Sequence, residues 1–199
     1  MHIQDRKLKF LGWVVIFLAC LGVGLLPGYN ASLETGLTDE GEEIILGHIS
    51  DEHITEYSGL EYDRLVEALR MIKTLQADLL LSTGDQTGSI SGDGSGDGEP
   101  ASFEKYNQAF SEVGGFSKYP DYGVGIPFRP VAGNHDGWGR YPYEIYMGPL
   151  RHSFVIGNYR FIGWSGHPNN EIPEAWLEQE MSRSCEDERP IILFYHYPP

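Results

Sequence analysis

Six polar side chains of three types, aspartate, asparagine and histidine, mark the ends of four hydrophobic runs in the sequence. They are Asp51, His53, Asp85, Asn134, His135 and His196. Carboxylate, amide and imidazole groups are ligands suited to Mn, Fe or Zn, and a carboxylate can bridge two such ions. Two ions about 3.5 to 4 Å apart can clamp a phosphoryl group and lower the pKa of a water between them. The residue types therefore predict a metal site with hydrolytic chemistry.

The elements that must position these residues alternate between strands and helices. The β-branched run EEIILGHIS, residues 42–50, predicts a first strand. Apolar residues recur at helical spacing over residues 60–76, and ADLLLSTGD then predicts a buried strand. A β-α-β unit of this kind favours a parallel sheet.

The same patterns extend to the end of the chain. They predict, in order, a helix over SFEKYNQAFSEV, a strand over PFRPVAGN, a hairpin over HSFVIGNYRFIGW turned at Gly157 and Asn158, a helix over 173–183, and a last strand in IILFYHYPP. Ligands bind at the carboxyl ends of strands in open α/β sheets, so we expect the four strand ends to meet at one edge. Asp51 and His53 are two residues apart and would share one face of a regular strand. Gly84 and Gly133 would permit sharp turns beside the site.

The amino terminus predicts a targeting segment. Basic residues at positions 6, 7 and 9 precede an apolar stretch over residues 10–26, which Pro27 and Gly28 end. The alternatives are a cleaved export signal, with or without lipidation at Cys20, and a retained membrane anchor. We therefore expect an exported protein, periplasmic, membrane-anchored or extracellular, with residues 1–27 as the signal or anchor, 28–41 as a linker and 42–199 as the folded domain.

The composition narrows the classes of partner. The 199 residues are 41% hydrophobic and 22% charged, as in one globular domain. The formal net charge is −15, which disfavours nucleic-acid binding through a basic patch. The sequence does not indicate an oligomeric state.

The ordered motifs DEH, GDQ, GNHD and HYPP resemble those of the calcineurin-like metallophosphoesterases, over roughly residues 42–199. The resemblance implies an α/β fold, an α/β/β/α sandwich of two mixed sheets. It implies two divalent or trivalent metal ions, Mn, Fe or Zn, with Asp51 and His53 on the first, Asp85 bridging, and Asn134 with His196 on the second. His135 would be the catalytic histidine, and Asp136 would orient it.

The resemblance also implies a later Gly-His-x-His motif that gives each ion one more histidine, and this motif is absent from the 199 residues. We therefore expect a fragment that lacks the C-terminal part of the fold and binds metal weakly. The expected function is hydrolysis of a small phosphorylated substrate, a phosphomonoester or phosphodiester. The alternative is a non-catalytic, membrane-tethered module that binds phosphate or metal.

A glycine-rich segment offers a second metal site. Residues 93–104, DGSGDGEPASFE, resemble a calcium-binding loop whose ligands would be Asp93, Ser95, Asp97 and Glu104. Ser95 and Pro100 depart from the usual pattern, and no helix is predicted before the loop. A mobile loop beside the active site is the alternative.

Overall fold

The computed structural model describes residues 43–88, 98–120, 123–137, 142–165 and 174–196, and the backbone of residues 14–16 and 30–37. Within these ranges the chain forms two sheets. The first has the strand order β1-β2-β3-β4-β6-β5. Its strands are β1 Val14–Ile16, β2 Asn30–Leu37, β3 Glu43–Ile49, β4 Leu79–Ser82, β5 Phe116–Ser117 and β6 Ile126–Pro130. The neighbours β3, β4, β6 and β5 pair in parallel, so these four strands end at the same edge.

Two helices connect the parallel strands. Helix α1, Leu60–Thr74, joins β3 to β4 and buries one apolar face, which includes Leu65, Leu69 and Ile72. Helix α2, Pro100–Val113, starts with proline in its first turn, where the missing N–H costs nothing. The predicted β-α-β unit is therefore present.

The second sheet has the order β7-β8-β9 in the described part of the chain. Strands β7, Arg151–Ile156, and β8, Tyr159–Trp164, form the predicted hairpin around Gly157 and Asn158. Strand β9, Ile191–Phe194, follows helix α4, Glu174–Glu186, and pairs in parallel with β8. A short helix α3, Tyr143–Tyr146, precedes this sheet.

Strand β4 is buried on both faces, which explains its continuous run of leucines. Leu80 packs in the core cluster that contains the apolar faces of α1 and α2. Leu79 and Leu81 pack in a second cluster with Phe161 and Phe194 of the other sheet. Helices therefore cover one face of the first sheet and the second sheet covers the other, as the predicted layered α/β fold requires.

Two expectations about the elements differ from the structure. The first concerns the predicted linker over residues 28–41, which contains strand β2, paired antiparallel with β3. In NASLETGL the apolar residues Ala31, Leu33 and Leu37 fall on alternate positions, with Thr35 completing the set, and this period of two is typical of a strand. The second concerns β9, which belongs to the second sheet. The four strand ends thus do not share one sheet edge.

The predicted targeting segment, residues 1–27, lies outside the described residues except for β1. Among the described residues, no helix combines the length and the apolar character needed to cross a bilayer. Export, membrane association and the domain boundaries stay predictions.

Candidate metal centre

Two adjacent loops carry three of the predicted site residues. They follow β3 and β4 directly, and backbone hydrogen bonds join them beyond the ends of the strands. Asp51 N donates to Gly84 O at 3.0 Å, and His53 N donates to Asp85 O at 3.0 Å. The parallel pairing of the two strands therefore continues into the loops and fixes the spacing between the three side chains.

The backbone of these three residues is left-handed. Asp51, His53 and Asp85 have φ angles of 60°, 48° and 56°. Non-glycine residues adopt this region uncommonly, Asp and His more often than most, and such residues cluster at functional sites. The expectation that strand alternation places Asp51 and His53 on one face is therefore wrong. Strand β3 ends at Ile49, and the loop positions both side chains.

Asp85 lies at the centre of the site and is almost completely buried, with 4% of its surface exposed. Its Oδ1 accepts a hydrogen bond from His135 N at 2.9 Å. Its Oδ2 lies 3.8 Å from His53 Nε2 and 3.4 Å from His196 Nε2. Burial raises the pKa of Asp85, but the hydrogen bond and charge of His196, the His135 N–H and the charge of His53 together lower it more, so the pKa is below its ordinary 3.8. An ionised carboxylate oxygen therefore faces two imidazole nitrogens.

His196 reaches the site from the second sheet, just after β9, and is oriented through its far nitrogen. Its Nδ1 lies 2.8 Å from the carbonyl oxygen of Thr83. A carbonyl only accepts, so Nδ1 carries a proton and Nε2 is turned toward Asp85 and toward Asn134 Oδ1, 3.3 Å away. Burial lowers the pKa of His196, but the hydrogen bond to Asp85, the charges of Asp85 and Asp51 and the Thr83 carbonyl together raise it more, so the pKa is above 6.5. Metal-binding histidines are typically held in this way by a backbone carbonyl.

Candidate ligand atoms form two groups among the described residues. One contains His53, Asp85 and His135, and the other contains Asp51, Asp85 and His196; within each group the atoms lie within 4.8 Å of one another. Asp85 belongs to both groups. The predicted assignment put Asp51 and His53 on one ion, and Asn134 with His196 on the other. The grouping divides these residues differently, and the assignment stays a prediction.

The donor set fits a pair of cations. The carboxylates of Asp51 and Asp85 and the Oδ1 of Asn134 are acceptors, as is the Nε2 of His196 when its ring is neutral. Burial lowers the pKa of His53, and the nearby charge of Asp85 offsets only part of this effect, which leaves a lone pair available. Acceptors that face one another repel without a cation, so bound divalent ions would stabilise this arrangement.

His135 has its ring beside that of His53. The two ring centroids are 4.7 Å apart with an interplanar angle of 74°. The His135 ring is partly exposed, whereas its backbone N–H is held by Asp85. The residue predicted to be catalytic is therefore held at its backbone and is partly exposed.

Two glycines make room for the ligands. A Cβ on Gly84, whose φ is +109°, would lie 2.6 Å from His196 Nδ1, and a Cβ on Gly133 would overlap the carboxylate of Asp85. A side chain at either position would displace a predicted ligand. The loops can close around the site because both positions lack one.

We expect Gly133→Ala to weaken metal binding and to lower the free energy of unfolding by about 1 to 3 kcal/mol, because the new methyl group overpacks against Asp85. Titration calorimetry with Mn²⁺ and chemical denaturation measure the two effects. Gly59→Ala is the matched control, since a Cβ there meets nothing within 4 Å. Equal Mn²⁺ affinities for the two variants would show that Gly133 does not shape the site.

Asp136 connects the two glycine-bearing loops and is completely buried. Its carboxylate accepts hydrogen bonds from Gln86 N at 3.2 Å, Gly133 N at 2.9 Å, and the N and Oγ1 of Thr87 at 2.8 and 3.0 Å. Burial raises the pKa of Asp136 to about 7, against these hydrogen bonds, which lower it.

These contacts bear on the role predicted for Asp136, the orientation of His135. The four hydrogen bonds run to loop backbone and to Thr87, and the Thr87 hydroxyl also contacts His135 O at 3.0 Å. Asp136 thus reaches the backbone of His135 through Thr87. Sequence patterns did not single out Thr87, which follows the GDQ motif directly.

We expect Asp136→Asn to lower the free energy of unfolding by about 1 to 3 kcal/mol. The amide nitrogen would face N–H donors whichever way the side chain is turned, and a buried donor without an acceptor costs about this much. Denaturant unfolding measures the change. Asp78→Asn is the control, because Asp78 accepts from one backbone N–H, that of Ile45, at an exposed position. Equal stability of the two variants would contradict the structural role.

The proposed calcium loop is not tested by the structure. Asp93, Ser95 and Asp97 lie outside the described residues. Glu104 is exposed on α2, where Tyr146 OH donates to it at 3.1 Å. Calcium binding stays a prediction.

Comparison with known proteins identifies the family. The profile of the calcineurin-like phosphoesterases matches residues 45–199. The chain belongs to this family. Its members use a dinuclear divalent metal centre, and the calcineurin-like chain described here has candidate ligand groups for one.

Solved structures give a second comparison. A dimetal phosphatase from Danio rerio matches the calcineurin-like chain with a TM-score of 0.51 and 12% identity, over 77% of this chain and 69% of the other, and at this identity the likeness shows the fold alone. A protein of unknown function from Aquifex aeolicus matches with a TM-score of 0.34 and 15% identity, over 77% of this chain and 80% of the other. A TM-score this low does not establish a shared fold. No curated protein sequence matches.

Proposed function

We propose that this calcineurin-like phosphoesterase hydrolyses a small phosphate ester, a phosphomonoester or phosphodiester, at a dinuclear centre of Mn, Fe or Zn. The proposed ligands are Asp51, His53, Asp85, Asn134 and His196. The proposed catalytic residue is His135. Membership of a phosphoesterase family supports the reaction class, and the acceptor-rich site supports the metal requirement.

The position of Asp85 is the observation that carries the proposal. One of its carboxylate oxygens lies between His53 Nε2 and His196 Nε2, at 3.8 and 3.4 Å, and the residue belongs to both ligand groups. A shared carboxylate is what a two-metal site requires, because bridging holds the ions close enough to act on one phosphoryl group.

The bound ions, their ligands and His135 would have different roles in hydrolysis. Bound ions would supply charge neutralisation at the phosphoryl group and a lowered pKa for the attacking water. Asp51, Asp85 and His196 would hold the ions and so determine where the phosphoryl group binds. His135, which is partly exposed, would give a proton to the leaving oxygen or donate a hydrogen bond to the phosphoryl oxygens.

We also propose roles for the rest of the chain. Residues 42–199 would form the catalytic domain, and residues 1–27 would direct export or anchor the protein in a membrane. The net charge of −15 disfavours binding of nucleic acid through a basic patch, so a small soluble substrate is the better fit.

Turnover of two chromogenic substrates tests the proposal. The purified chain, freed of metal by chelation, is assayed with p-nitrophenyl phosphate and bis-p-nitrophenyl phosphate before and after addition of Mn²⁺, Fe²⁺ or Zn²⁺. We expect hydrolysis of at least one substrate, restored by metal. Binding of metal without turnover of either substrate would instead favour a non-catalytic phosphate- or metal-binding module. Hydrolysis that survives chelation would contradict the metal requirement.

A further inference from the structure

A chain of hydrogen bonds leads from the interior of the first sheet to the proposed metal ligand Asp51. His48 Nε2 lies 2.9 Å from Thr83 Oγ1, and Thr83 Oγ1 lies 2.9 Å from Ser50 Oγ. Ser50 Oγ lies 2.5 Å from Asp51 Oδ2. Three hydrogen bonds through two side chains, those of Thr83 and Ser50, thus connect a histidine on β3 to a carboxylate of the site.

The direction of these hydrogen bonds follows from proton counting. An ionised Asp51 only accepts, so the Ser50 hydroxyl donates its single proton to Asp51. Ser50 must then accept from Thr83, and Thr83, having donated its own proton, must accept from His48. The chain therefore requires His48 to carry its proton on Nε2.

His48 lies outside both groups of candidate ligand atoms. It lies on β3 and, with Thr83, lines a cavity of about 250 Å³ whose other walls are mostly apolar, from Leu46, Leu81 and Leu193. Burial lowers the pKa of His48, and the charge of Asp51 only partly offsets this effect, so the ring is neutral at pH 7. A neutral imidazole has the single N–H donor that the chain of hydrogen bonds needs.

Thr83 holds a second proposed ligand at the same time. Its hydroxyl belongs to the chain that ends at Asp51, and its carbonyl oxygen accepts from His196 Nδ1 at 2.8 Å. One residue thus contacts two proposed ligands of the same group, His196 directly and Asp51 through Ser50.

We infer that His48 is a positioning residue for the metal centre: through Thr83 and Ser50, its Nε2–H holds the Asp51 carboxylate in the orientation that binds metal. This inference rests on the proposed function, because it takes Asp51 as a ligand. Loss of such outer hydrogen bonds lowers metal affinity by about 10 to 100-fold, and we expect the lower end because two side chains intervene.

A matched pair of substitutions tests the donor at Nε2. The amide nitrogen of glutamine can reach the position of Nε2, whereas that of asparagine reaches only the position of Nδ1. We expect His48→Gln to keep the Mn²⁺ affinity of the wild type in titration calorimetry. We expect His48→Asn and His48→Leu to bind Mn²⁺ about tenfold more weakly.

A control and a double variant separate positioning from stability. His152 is buried and contacts Pro130 O at 2.8 Å, so His152→Leu should lower the free energy of unfolding without changing Mn²⁺ affinity. Thr83→Val removes the hydroxyl and keeps the carbonyl that holds His196. If the chain acts as a unit, adding His48→Leu to Thr83→Val weakens binding no further, since neighbouring effects on one network do not add.

Nitrogen NMR of the wild-type chain gives a readout that needs no metal. Long-range ¹H–¹⁵N spectra should show a neutral His48 ring protonated at Nε2. A His48 ring protonated at Nδ1 would overturn the inference, as would equal Mn²⁺ affinity for the wild type, His48→Gln and His48→Leu. In those cases the proposed function survives if the wild type binds Mn²⁺. A wild type that binds no Mn²⁺ would overturn both.

Discussion

Replacing Asp85 with asparagine is expected to abolish binding of the second metal ion and to lower turnover by more than about a hundredfold. Outer-sphere partners of a metal already contribute about 10 to 100-fold in affinity or activity, and a ligand shared by two ions should contribute more. The substitution keeps the size of the side chain and leaves an oxygen for the His135 N–H. It removes the negative charge that faces His53 and His196.

Metal content after gel filtration and the rate of hydrolysis of bis-p-nitrophenyl phosphate measure the two effects. Asp187→Asn is the matched control, because Asp187 is half exposed and pairs with Arg160 at 2.7 Å, away from the site. It should match the wild-type chain in metal content and rate. An Asp85→Asn protein with the metal content and rate of this control would exclude a bridging role.

The second large effect is expected at His135. Replacing it with alanine should lower kcat by about 10² to 10⁴-fold for a substrate with a poor leaving group, the range that general acid catalysis contributes. The loss should be smaller for p-nitrophenyl phosphate, because p-nitrophenolate leaves readily without a proton. Steady-state rates on p-nitrophenyl phosphate and on an alkyl phosphate give the comparison.

Metal content distinguishes two roles for His135. Its ring is close enough to Asp85 and His53 to bind an ion, so a ligand role is the competing explanation. A proton donor leaves metal binding intact when it is removed, whereas a ligand does not. Retention of both ions together with an unequal loss on the two substrates supports the catalytic role. Loss of one ion, with equal loss on both substrates, would show that His135 is a ligand.

Much of the fold could be predicted from periodicity. Helix α1 and strand β4 have one-sided and continuous burial respectively, and both patterns are plain in the sequence. The membership of β9 in the second sheet could not be predicted in this way. Periodicity shows which residues are buried, but it does not show which strand pairs with which.

The site could be predicted in its composition but less in its geometry. Residue types and strand ends predicted that Asp85 and His196 lie close together, and Asp85 Oδ2 lies 3.4 Å from His196 Nε2. The left-handed backbone at Asp51 and His53 could not be foreseen, since neither residue has the freedom of glycine. Thr83 and Thr87 were missed because their hydrogen bonds join residues far apart in sequence, such as Thr87 to Asp136.

The exchange coupling between bound Mn²⁺ ions shows whether Asp85 bridges two ions. Electron paramagnetic resonance of the wild-type chain, titrated with Mn²⁺ to two ions per chain, reports whether the ions share a ligand. We predict the spectrum of a coupled pair in the wild type and of isolated ions in Asp85→Asn. A wild type that shows only isolated Mn²⁺ at every ratio would contradict a dinuclear centre bridged by Asp85.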